Sequence, residues 1–426
     1  MASLSEDLAS EAPSPERCSD GAQSDGAPKF GAHSWWRGLR WRSGLFVVAS
    51  LLGCQAMAAS RQITAPVVVM MPEGIGGARE SFLQGLALGE QDVRACGGEP
   101  TPMVIHALGS DGDPLVLFPR DAKGLPLLPP LLVAPYAADL RSYSQLTERG
   151  ETRVLLGHQR GPSLDTLGSL DEQGRLWPLL PSRQDDLRAL AKGAMDRGWK
   201  RVVVVSDPTS LEGDRASRFV EMFEGLGGKV LSYTQDQVQE LDGSDPERFA
   251  LLEKDLDWLG PDAVVLAAPP TSKLAIQLTQ RQRDQRYGPR PGWIWLLSSA
   301  QSKALQAEPW PQLVLEAPAH GPGWTAFGKA FAQRWGYDPD LIAAAGYETA
   351  RVLALTTAGA VPLASDGTRD PLAWLDPAAE PQQLCRAISI RRQGGVTRLE
   401  GVASDFALRP GQAPTGVADS RVIAAQ

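Results

Sequence analysis

The sequence has few of the residues that enzymes and metal proteins commonly use for chemistry. Only four cysteines and four histidines occur among 426 residues. The cysteines, Cys18, Cys54, Cys96 and Cys385, are too few for a disulfide scaffold and lack the C-x-x-C spacing of metal sites. No metal site and no cofactor is therefore predicted. Cys96 and Cys385 are able to pair in an oxidising compartment, but the sequence alone leaves their pairing open.

The motifs of common enzyme classes are also missing. Gly74, Gly76 and Gly77 hint at a dinucleotide-binding turn, but the G-x-G-x-x-G pattern fails at Arg79. The sequence contains no Walker A lysine pattern, no G-x-S-x-G elbow and no H-E-x-x-H helix. We therefore predict that the protein is not an enzyme.

Clustered positive charge is absent from most of the chain. The formal net charge is −8, and no basic stripe follows Arg42. Because nucleic-acid affinity depends largely on clustered lysine and arginine, no nucleic-acid partner is predicted. Hydrophobic residues make up 43% and charged residues 22%, as in ordinary globular proteins, and the length indicates two to three domains.

The first sixty residues have the composition of an export signal. Residues 1–34 are rich in Ser, Ala, Gly, Pro and acidic residues, a composition that does not fold alone. A basic and aromatic patch at 35–42 then precedes an apolar run at 44–53, which is too short to span a bilayer comfortably. Residues 1–60 are therefore predicted to be a disordered n-region plus a signal or lipoprotein peptide, although a start codon further downstream is an alternative.

Two processing sites compete after this run. Leu51, Leu52, Gly53 and Cys54 resemble a bacterial lipobox, whose cysteine is lipidated, whereas Ala56-Met57-Ala58 is an A-x-A site for cleavage after Ala58. We favour lipidation of Cys54, since this cysteine has no other evident role there, and an uncleaved anchor is a third possibility. The protein is predicted to be periplasmic or in the cell envelope, with the lipid anchor as its only membrane contact.

The body of the chain reads as repeated strand and helix units. Residues 67–71 form a continuous apolar run typical of a strand buried on both faces, and 80–96 place apolar residues on one helical face. Further strands are predicted at 102–108, 131–134, 154–156, 202–206, 230–233, 263–268 and 293–297. Further helices are predicted at 185–197, 212–226, 273–283, 324–335 and 340–358. This alternation indicates an α/β fold with parallel sheets, except that five prolines between 108 and 131 predict an irregular crossover.

Several stretches, in order, resemble the branched-chain-amino-acid-binding branch of the type I periplasmic solute-binding proteins of ABC transporters. They are VVVMMPEGIGGARESFLQGLALGEQDVRACGGEP (67–100), VAPYAADL (133–140), DDLRALAKGAMDRGWKRVVVVSDPTSLEGDRASRFVEMFEGLGGKVL (185–231) and TAFGKAFAQRWGYDPDLIAAAGYETARVLALTTAGA (325–360). The resemblance implies two Rossmann-like lobes with parallel sheets joined by a three-crossing hinge. One lobe would contain 63–181 and 318–408, and the other 182–317 and 409–426, with crossings near Pro181, Pro318 and Leu408.

The resemblance also implies which loops hold the ligand, because ligands of such sheets bind outside the carboxyl ends of the strands. The implied contacts are Glu73, Gly74, Tyr136, Ala137, His158, Gln159, Arg160, Asp207, Thr209, Thr271 and Ser272.

Alternative roles are open for most of these residues. Arg160, with nearby Arg183, suits an anionic group, but Arg160 is equally interpreted as a solvated loop residue. His158 and Tyr136 have structural interpretations, and Glu73 and Asp207 are also candidates for helix caps. The family's small hydroxyl residues are replaced here by His158-Gln159-Arg160, and its acidic residue is missing from 269–272, so an ordinary zwitterionic amino acid fits poorly.

The predicted function is therefore that of an extracytoplasmic substrate-binding protein. It would capture a small polar solute, which is amino-acid-like, an amide or a carboxylate, and would deliver it to an ABC transporter permease. The alternative is a lipoprotein of the same fold that acts as a protein-interaction module, such as a peptidoglycan synthase activator. Trp293, Trp295 and Trp310 are interpreted as core residues in preference to a sugar platform.

Overall fold

The structure is a computed structural model. It describes residues 67–423 apart from 73–75, 109–113, 115–117, 135–138, 149–150, 158, 162–163, 209–212, 234–235, 285–289 and 360–369. The chain divides into two units, Met1–Ser60 and Arg61–Gln426, and the description below concerns the second. The predicted leader, with Cys54 and Ala58, lies outside the described residues.

Two large sheets and one two-stranded sheet organise the described residues. The strands of the first sheet are β1 Val67–Pro72, β2 Val104–Leu108, β3 Leu131–Ala134, β4 Arg153–Leu156 and β5 Leu176–Pro178. The remaining strands, in chain order, are β6 Arg201–Ser206, β7 Lys229–Val230, β8 Val238–Glu240, β9 Ala263–Ala267, β10 Gly292–Trp295, β11 Gln312–His320, β12 Pro381–Gln382, β13 Arg398–Leu399 and β14 Val417–Ile423. The two-stranded sheet is formed by β12 and β13. The first sheet has the order β2-β1-β3-β4-β5, and all its neighbouring strands are parallel. The second has the order β14-β11-β10-β9-β6-β7, with β8 also beside β6, and only β14 is antiparallel to its neighbour.

Helices pack on both large sheets. They are α1 Gly76–Ala95, α2 Leu140–Glu148, α3 Leu167–Leu170, α4 Arg183–Asp196, α5 Gly213–Gly225, α6 Pro246–Leu259, α7 Lys273–Arg283, α8 Ser299–Ser302, α9 Trp324–Trp335, α10 Leu341–Thr357 and α11 Leu384–Arg392. Side chains of α1, α9, α10 and α11 share a core with the first sheet, whereas those of α4 to α7 share cores with the second. We call each large sheet with its helices the first and the second lobe. The exact lobe boundaries given above remain a prediction.

Helices α1 and α10 of the first lobe approach each other unusually closely. A Cβ atom at Gly85 would lie 1.8 Å from the carbonyl oxygen of Ala343, and one at Gly346 would lie 2.1 Å from that of Phe82. Since neither backbone is able to yield to such an overlap, the contact requires glycine on both helices. This pair fastens the C-terminal part of the first lobe to its N-terminal part.

The second lobe is built around its central strands. The side chains of Val202, Val203, Val204 and Val205 on β6 are fully buried, as expected for a strand covered on both faces. Trp293, Trp295 and Trp310 are buried as well, and the rings of Trp293 and Trp295 are 5.5 Å apart. The interpretation of these tryptophans as core residues is confirmed, and the sugar platform is wrong.

Two local predictions met different outcomes. The strand predicted at 230–233 is shorter, because β7 ends at Val230 and Leu231 donates its last ladder bond to Val202. The irregular crossover before β3 is confirmed for the residues described there, which form a bridge between Arg120 and Pro126 around a tight turn.

A disulfide bond joins Cys96, which follows α1, to Cys385 in α11, with the two Cα atoms 4.7 Å apart. The pairing that the sequence left open is thus formed. It connects positions 289 residues apart within the first lobe.

Candidate functional site: the cleft between the lobes

A cavity of about 780 Å³ lies between the two lobes. Its second-lobe wall is formed mainly by Leu296, Leu297, Ser298, Ser299, Ala300 and Lys303, and its first-lobe wall by Trp324, Gly328, Asp338, Pro339, Asp340, Leu341 and Ile342. The segments at which the chain crosses between the lobes, including Leu180 and Pro318, line it as well. The cavity therefore has the position and size of a small-molecule site in a two-lobed α/β protein.

The second-lobe wall is the loop at the carboxyl end of β10. Ser298 caps α8 by accepting a hydrogen bond from the Gln301 N–H, and the Gln301 side chain accepts one in return from the Ser298 N–H. This reciprocal cap fixes the loop that faces the cleft. The sequence prediction missed this loop, although it follows a predicted strand and the same strand-end rule applied to it.

The first-lobe wall is fixed by the start of α10. The Asp340 carboxylate caps that helix by accepting a hydrogen bond from the Ala343 N–H at 2.8 Å, and it also accepts one from the Ser81 hydroxyl at 2.5 Å. Because Ser81 belongs to α1, two helices hold this carboxylate in place. Asp340 is thus engaged in structural contacts at the edge of the cleft.

Arg160 lies in the first lobe beside the segment at which the chain first crosses to the other lobe. Its Nε donates to the Pro181 carbonyl oxygen at 2.8 Å, and its guanidinium pairs with the Asp186 carboxylate at 3.0 Å. Asp186 also accepts a hydrogen bond from the Ala319 N–H at 2.6 Å, on the second crossing segment. The Arg160 side chain is only 12% exposed, so the interpretation as a solvated loop residue is wrong.

Arg160 and Arg183 both line the cleft. Of the two, Arg183 is exposed. Gln159, next to Arg160, is buried. Their contact with a solute remains a prediction.

The predicted second-lobe residues Asp207, Thr271 and Ser272 meet at a separate cavity of about 380 Å³, which Asp242 and Lys273 also line. Ser272 caps α7 by accepting a hydrogen bond from the Ala275 N–H at 3.1 Å, so its hydroxyl has a structural task. Asp207 is buried, and α5 begins six residues later at Gly213, so the interpretation of Asp207 as the cap of that helix does not fit. None of the residues that line this smaller cavity also lines the cavity of about 780 Å³.

The remaining predicted contacts, Glu73, Gly74, Tyr136, Ala137, His158 and Thr209, lie outside the described residues. Their roles remain predictions.

Asp185, beside the crossing segments, has an altered acidity. Its carboxylate accepts a hydrogen bond from the Gly416 N–H at 3.3 Å and pairs with Arg188 at 2.5 Å. Burial raises the pKa of Asp185 above its usual value of 3.8, although Arg188 opposes this. Asp185 and Asp186 together thus bond to backbone from two later passages of the chain, at Gly416 and Ala319.

Within the described ranges, no helix has the length and apolar character needed to cross a bilayer. The same residues contain no group of three or more His, Cys, Asp and Glu side chains placed to hold a metal ion.

Comparison with known proteins finds similarity in structure only. No protein family profile matches the sequence. No curated protein matches it either. A crystal structure of a proposed branched-chain amino acid ABC transporter from Rhodospirillum rubrum is similar, with a TM-score of 0.56, 16% identity, and coverage of 84% of this chain and 97% of that one.

An ABC transporter substrate-binding protein from Desulfitobacterium hafniense in complex with Leu is also similar. Its TM-score is 0.51 at 16% identity, and the match covers 84% of this chain and 97% of that chain. At such identity the likeness speaks for the fold. Taken with the two parallel sheets and the cleft between them, it shows that this chain has the type I periplasmic binding protein fold.

Proposed function

We propose that the protein is the extracytoplasmic substrate-binding protein of an ABC transporter. It binds a small polar solute, amino-acid-like, an amide or a carboxylate, between its lobes and presents it to a permease. The solute-binding role is supported above all by the cavity of about 780 Å³, which both lobes line and which the crossing segments border. Closure of two lobes about such segments is a hinge motion that encloses a ligand.

A binding role without catalysis agrees with the contacts of three of the four carboxylates that line the cleft, the fourth being the exposed Glu316. The Asp186 carboxylate is paired with Arg160, that of Asp338 with Lys303, and that of Asp340 caps a helix. Carboxylates engaged in this way hold the walls of the site in place and are poorly placed to transfer protons to a substrate.

Export of the chain is supported by the disulfide bond as well as by the predicted leader. Disulfide bonds persist in oxidising compartments such as the bacterial periplasm. The bond between Cys96 and Cys385 is therefore consistent with a periplasmic or cell-envelope location. Anchoring through lipidated Cys54, with cleavage after Ala58 as the alternative, belongs to the proposal.

The experiment combines mass spectrometry of material released from the purified protein with thermal-shift screening of amino acids, carboxylates and amides. A true solute raises the melting temperature in a concentration-dependent way. Ala300 is exposed and lines the cleft, so Ala300→Trp should fill part of the cavity. The variant should need at least tenfold more solute for the same thermal shift, which corresponds to a loss of about 1.4 kcal/mol of binding free energy.

Ala304→Trp is the matched control, because Ala304 is exposed one turn later and does not line the cavity. It should leave the shift unchanged. If no solute shifts the melting temperature and none is released, the solute-binding proposal fails.

The alternative role as a protein-interaction module has one observation in its favour. Trp258 on α6 is 74% exposed, and its ring lies 5.0 Å from that of the half-exposed Tyr233. Exposed aromatic pairs are common at protein interfaces. Co-purification of a stable partner that is lost with Trp258→Ser, together with no solute-induced thermal shift, would favour this alternative.

A further inference from the structure

One ion pair joins the two lobes beside the first crossing segment, where both of its residues line a small cavity together with Ser182 and Arg183. Asp165 of the first lobe pairs with Arg218 of α5 in the second lobe, with Oδ2 and Nη1 2.5 Å apart. Asp165 lies between Leu164 and Leu167, whose side chains are buried in the core of the first sheet. Arg218 precedes Phe219, which is buried in a core of the second sheet. Each partner is therefore fixed to its own lobe.

Other polar groups of the second lobe reinforce this pair. The Gln184 side-chain amide donates to Oδ1 of Asp165 at 2.8 Å, while Arg218 also pairs with Asp214 at 3.1 Å. Both oxygens of the Asp165 carboxylate are thus bonded to the second lobe. Because Asp214 orients Arg218 from within its own helix, less side-chain entropy is lost on pairing.

Two other ion pairs between the lobes differ in position and exposure. Arg160 and Asp186 are bonded to both crossing segments, through Pro181 and Ala319. Lys303 and Asp338 pair at 3.1 Å across the cleft, but their side chains are 64% and 74% exposed. Those of Arg218 and Asp165 are only 25% and 29% exposed.

Solvent exposure decides which of these ion pairs stabilises the contact between the lobes. Well-exposed pairs contribute little, because water and salt screen them and the side chains lose entropy. Lys303 and Asp338 are of this kind. The pair of Asp165 and Arg218 is less screened, has additional hydrogen bonds, and joins groups anchored in different lobes, so it opposes a rotation that pulls these groups apart.

We propose that Asp165 and Arg218 form a latch that sets how far the lobes of the solute-free protein stand apart. Gln184 and Asp214 are positioning residues of this latch. The consequence for solute affinity rests on the proposed function, since a latch that favours approached lobes lowers the cost of closing on a solute. The latch itself does not depend on which solute is bound.

The test is small-angle X-ray scattering of the solute-free protein. Asp165→Lys places a like charge against Arg218 and should increase the radius of gyration, as the ratio of open to approached conformers rises about threefold to tenfold. Asp165→Asn, which keeps the size and removes the charge, should give a smaller increase. Adding Arg218→Glu to Asp165→Lys restores opposite charges and should return the radius of gyration toward that of the parent.

Asp338→Lys is the matched control, because it makes the same charge change against Lys303 at the exposed pair. It should leave the scattering curve unchanged. The latch is refuted if Asp165→Lys scatters like the parent, or if Asp338→Lys expands the protein equally. If circular dichroism shows that Asp165→Lys is unfolded, Asp165→Asn and Arg218→Ala replace it. Both should increase the radius of gyration, and unchanged scattering from both refutes the latch.

The outcome is separable from that of the proposed function. Scattering reports the distance between the lobes without any solute, whereas mass spectrometry and thermal shifts report solute binding. A protein that expands with Asp165→Lys yet binds no solute keeps the latch and loses the transport role. One that binds a solute but does not expand keeps the transport role and loses the latch.

Discussion

The carboxylate of Asp186 and the backbone N–H of Ala319 are 133 residues apart in the chain and form a hydrogen bond of 2.6 Å. The same carboxylate pairs with Arg160. One side chain at the start of α4 is therefore bonded both to Arg160, which contacts the first crossing segment, and to the second crossing segment.

Replacing this carboxylate should loosen the crossing segments. Asp186→Ala removes the carboxylate that pairs with Arg160 and accepts from the Ala319 N–H in a largely buried place. We expect the free energy of unfolding to fall by roughly 1–3 kcal/mol. Denaturant unfolding measures this. Asp196→Ala, at the exposed end of the same helix, should change it by no more than about 0.5 kcal/mol; equal losses in both variants would contradict the assigned role.

The contact between α1 and α10 predicts an unequal effect of two similar substitutions. Gly85→Ala puts a methyl group against the Ala343 carbonyl oxygen and should destabilise the protein by roughly 1–3 kcal/mol through overpacking. Gly77→Ala lies in the same helix, where an added Cβ atom meets nothing within 4 Å, and should be neutral or slightly stabilising. Melting temperatures of the two variants test this, and an unaffected Gly85→Ala protein would show that the helices are further apart.

Reduction of the disulfide bond should destabilise the protein. The bond connects residues 289 apart, and removing such a cross-link frees the unfolded chain at a typical cost of roughly 2–5 kcal/mol. Unfolding with and without a reductant measures the loss. The double variant Cys96→Ala and Cys385→Ala should be equally weakened and insensitive to the reductant, whereas a parent protein that ignores the reductant would mean that the bond is absent.

Asp185 should make stability depend on pH in a defined direction. Because its pKa is raised in the folded protein, just above pH 3.8 the folded state still holds a proton that the unfolded state has released. The stabilisation of the folded state by this proton is complete at lower pH and is lost as pH rises through the raised pKa of Asp185. The stability of the parent relative to Asp185→Asn should therefore fall as pH rises from about 3 to about 6. Denaturant midpoints across that range test it, and a constant or rising difference would disprove it.

The buried parallel strands were predictable from the sequence because their environment imposes a simple pattern. Runs such as 67–71 and 202–205 are apolar at every position, since helices cover both faces. Helices α7 and α9 were predicted with the bounds that the structure shows. For these elements local composition and tertiary environment agree.

Elements at edges and crossings were missed for physical reasons. Strand β14 contains Asp419, Ser420 and Arg421 and is only partly buried at the edge of its sheet, so it lacks the apolar pattern. Strand β11 carries Glu316 and Pro318 as it leaves the sheet. Helix α6 was also missed, although its capping Asp245 and first-turn Pro246 were a usable signal.

The site was less predictable than the fold. That Arg160 binds Asp186 and Pro181 depends on where two lobes meet, which no local pattern records. The loop after β10 was within reach of the strand-end rule, whereas the first-lobe wall at 338–342 was not, because it precedes a helix instead of following a strand.

The order of the strands has a consequence for biosynthesis. The sheet of the second lobe is complete only when its edge strand β14, near the C-terminus, pairs with β11. Helix α10 of the first lobe is synthesised after every strand of the second sheet except β14. Neither lobe is complete while the C-terminal region is still being synthesised. The last step of folding in either lobe must therefore wait for the C-terminal region.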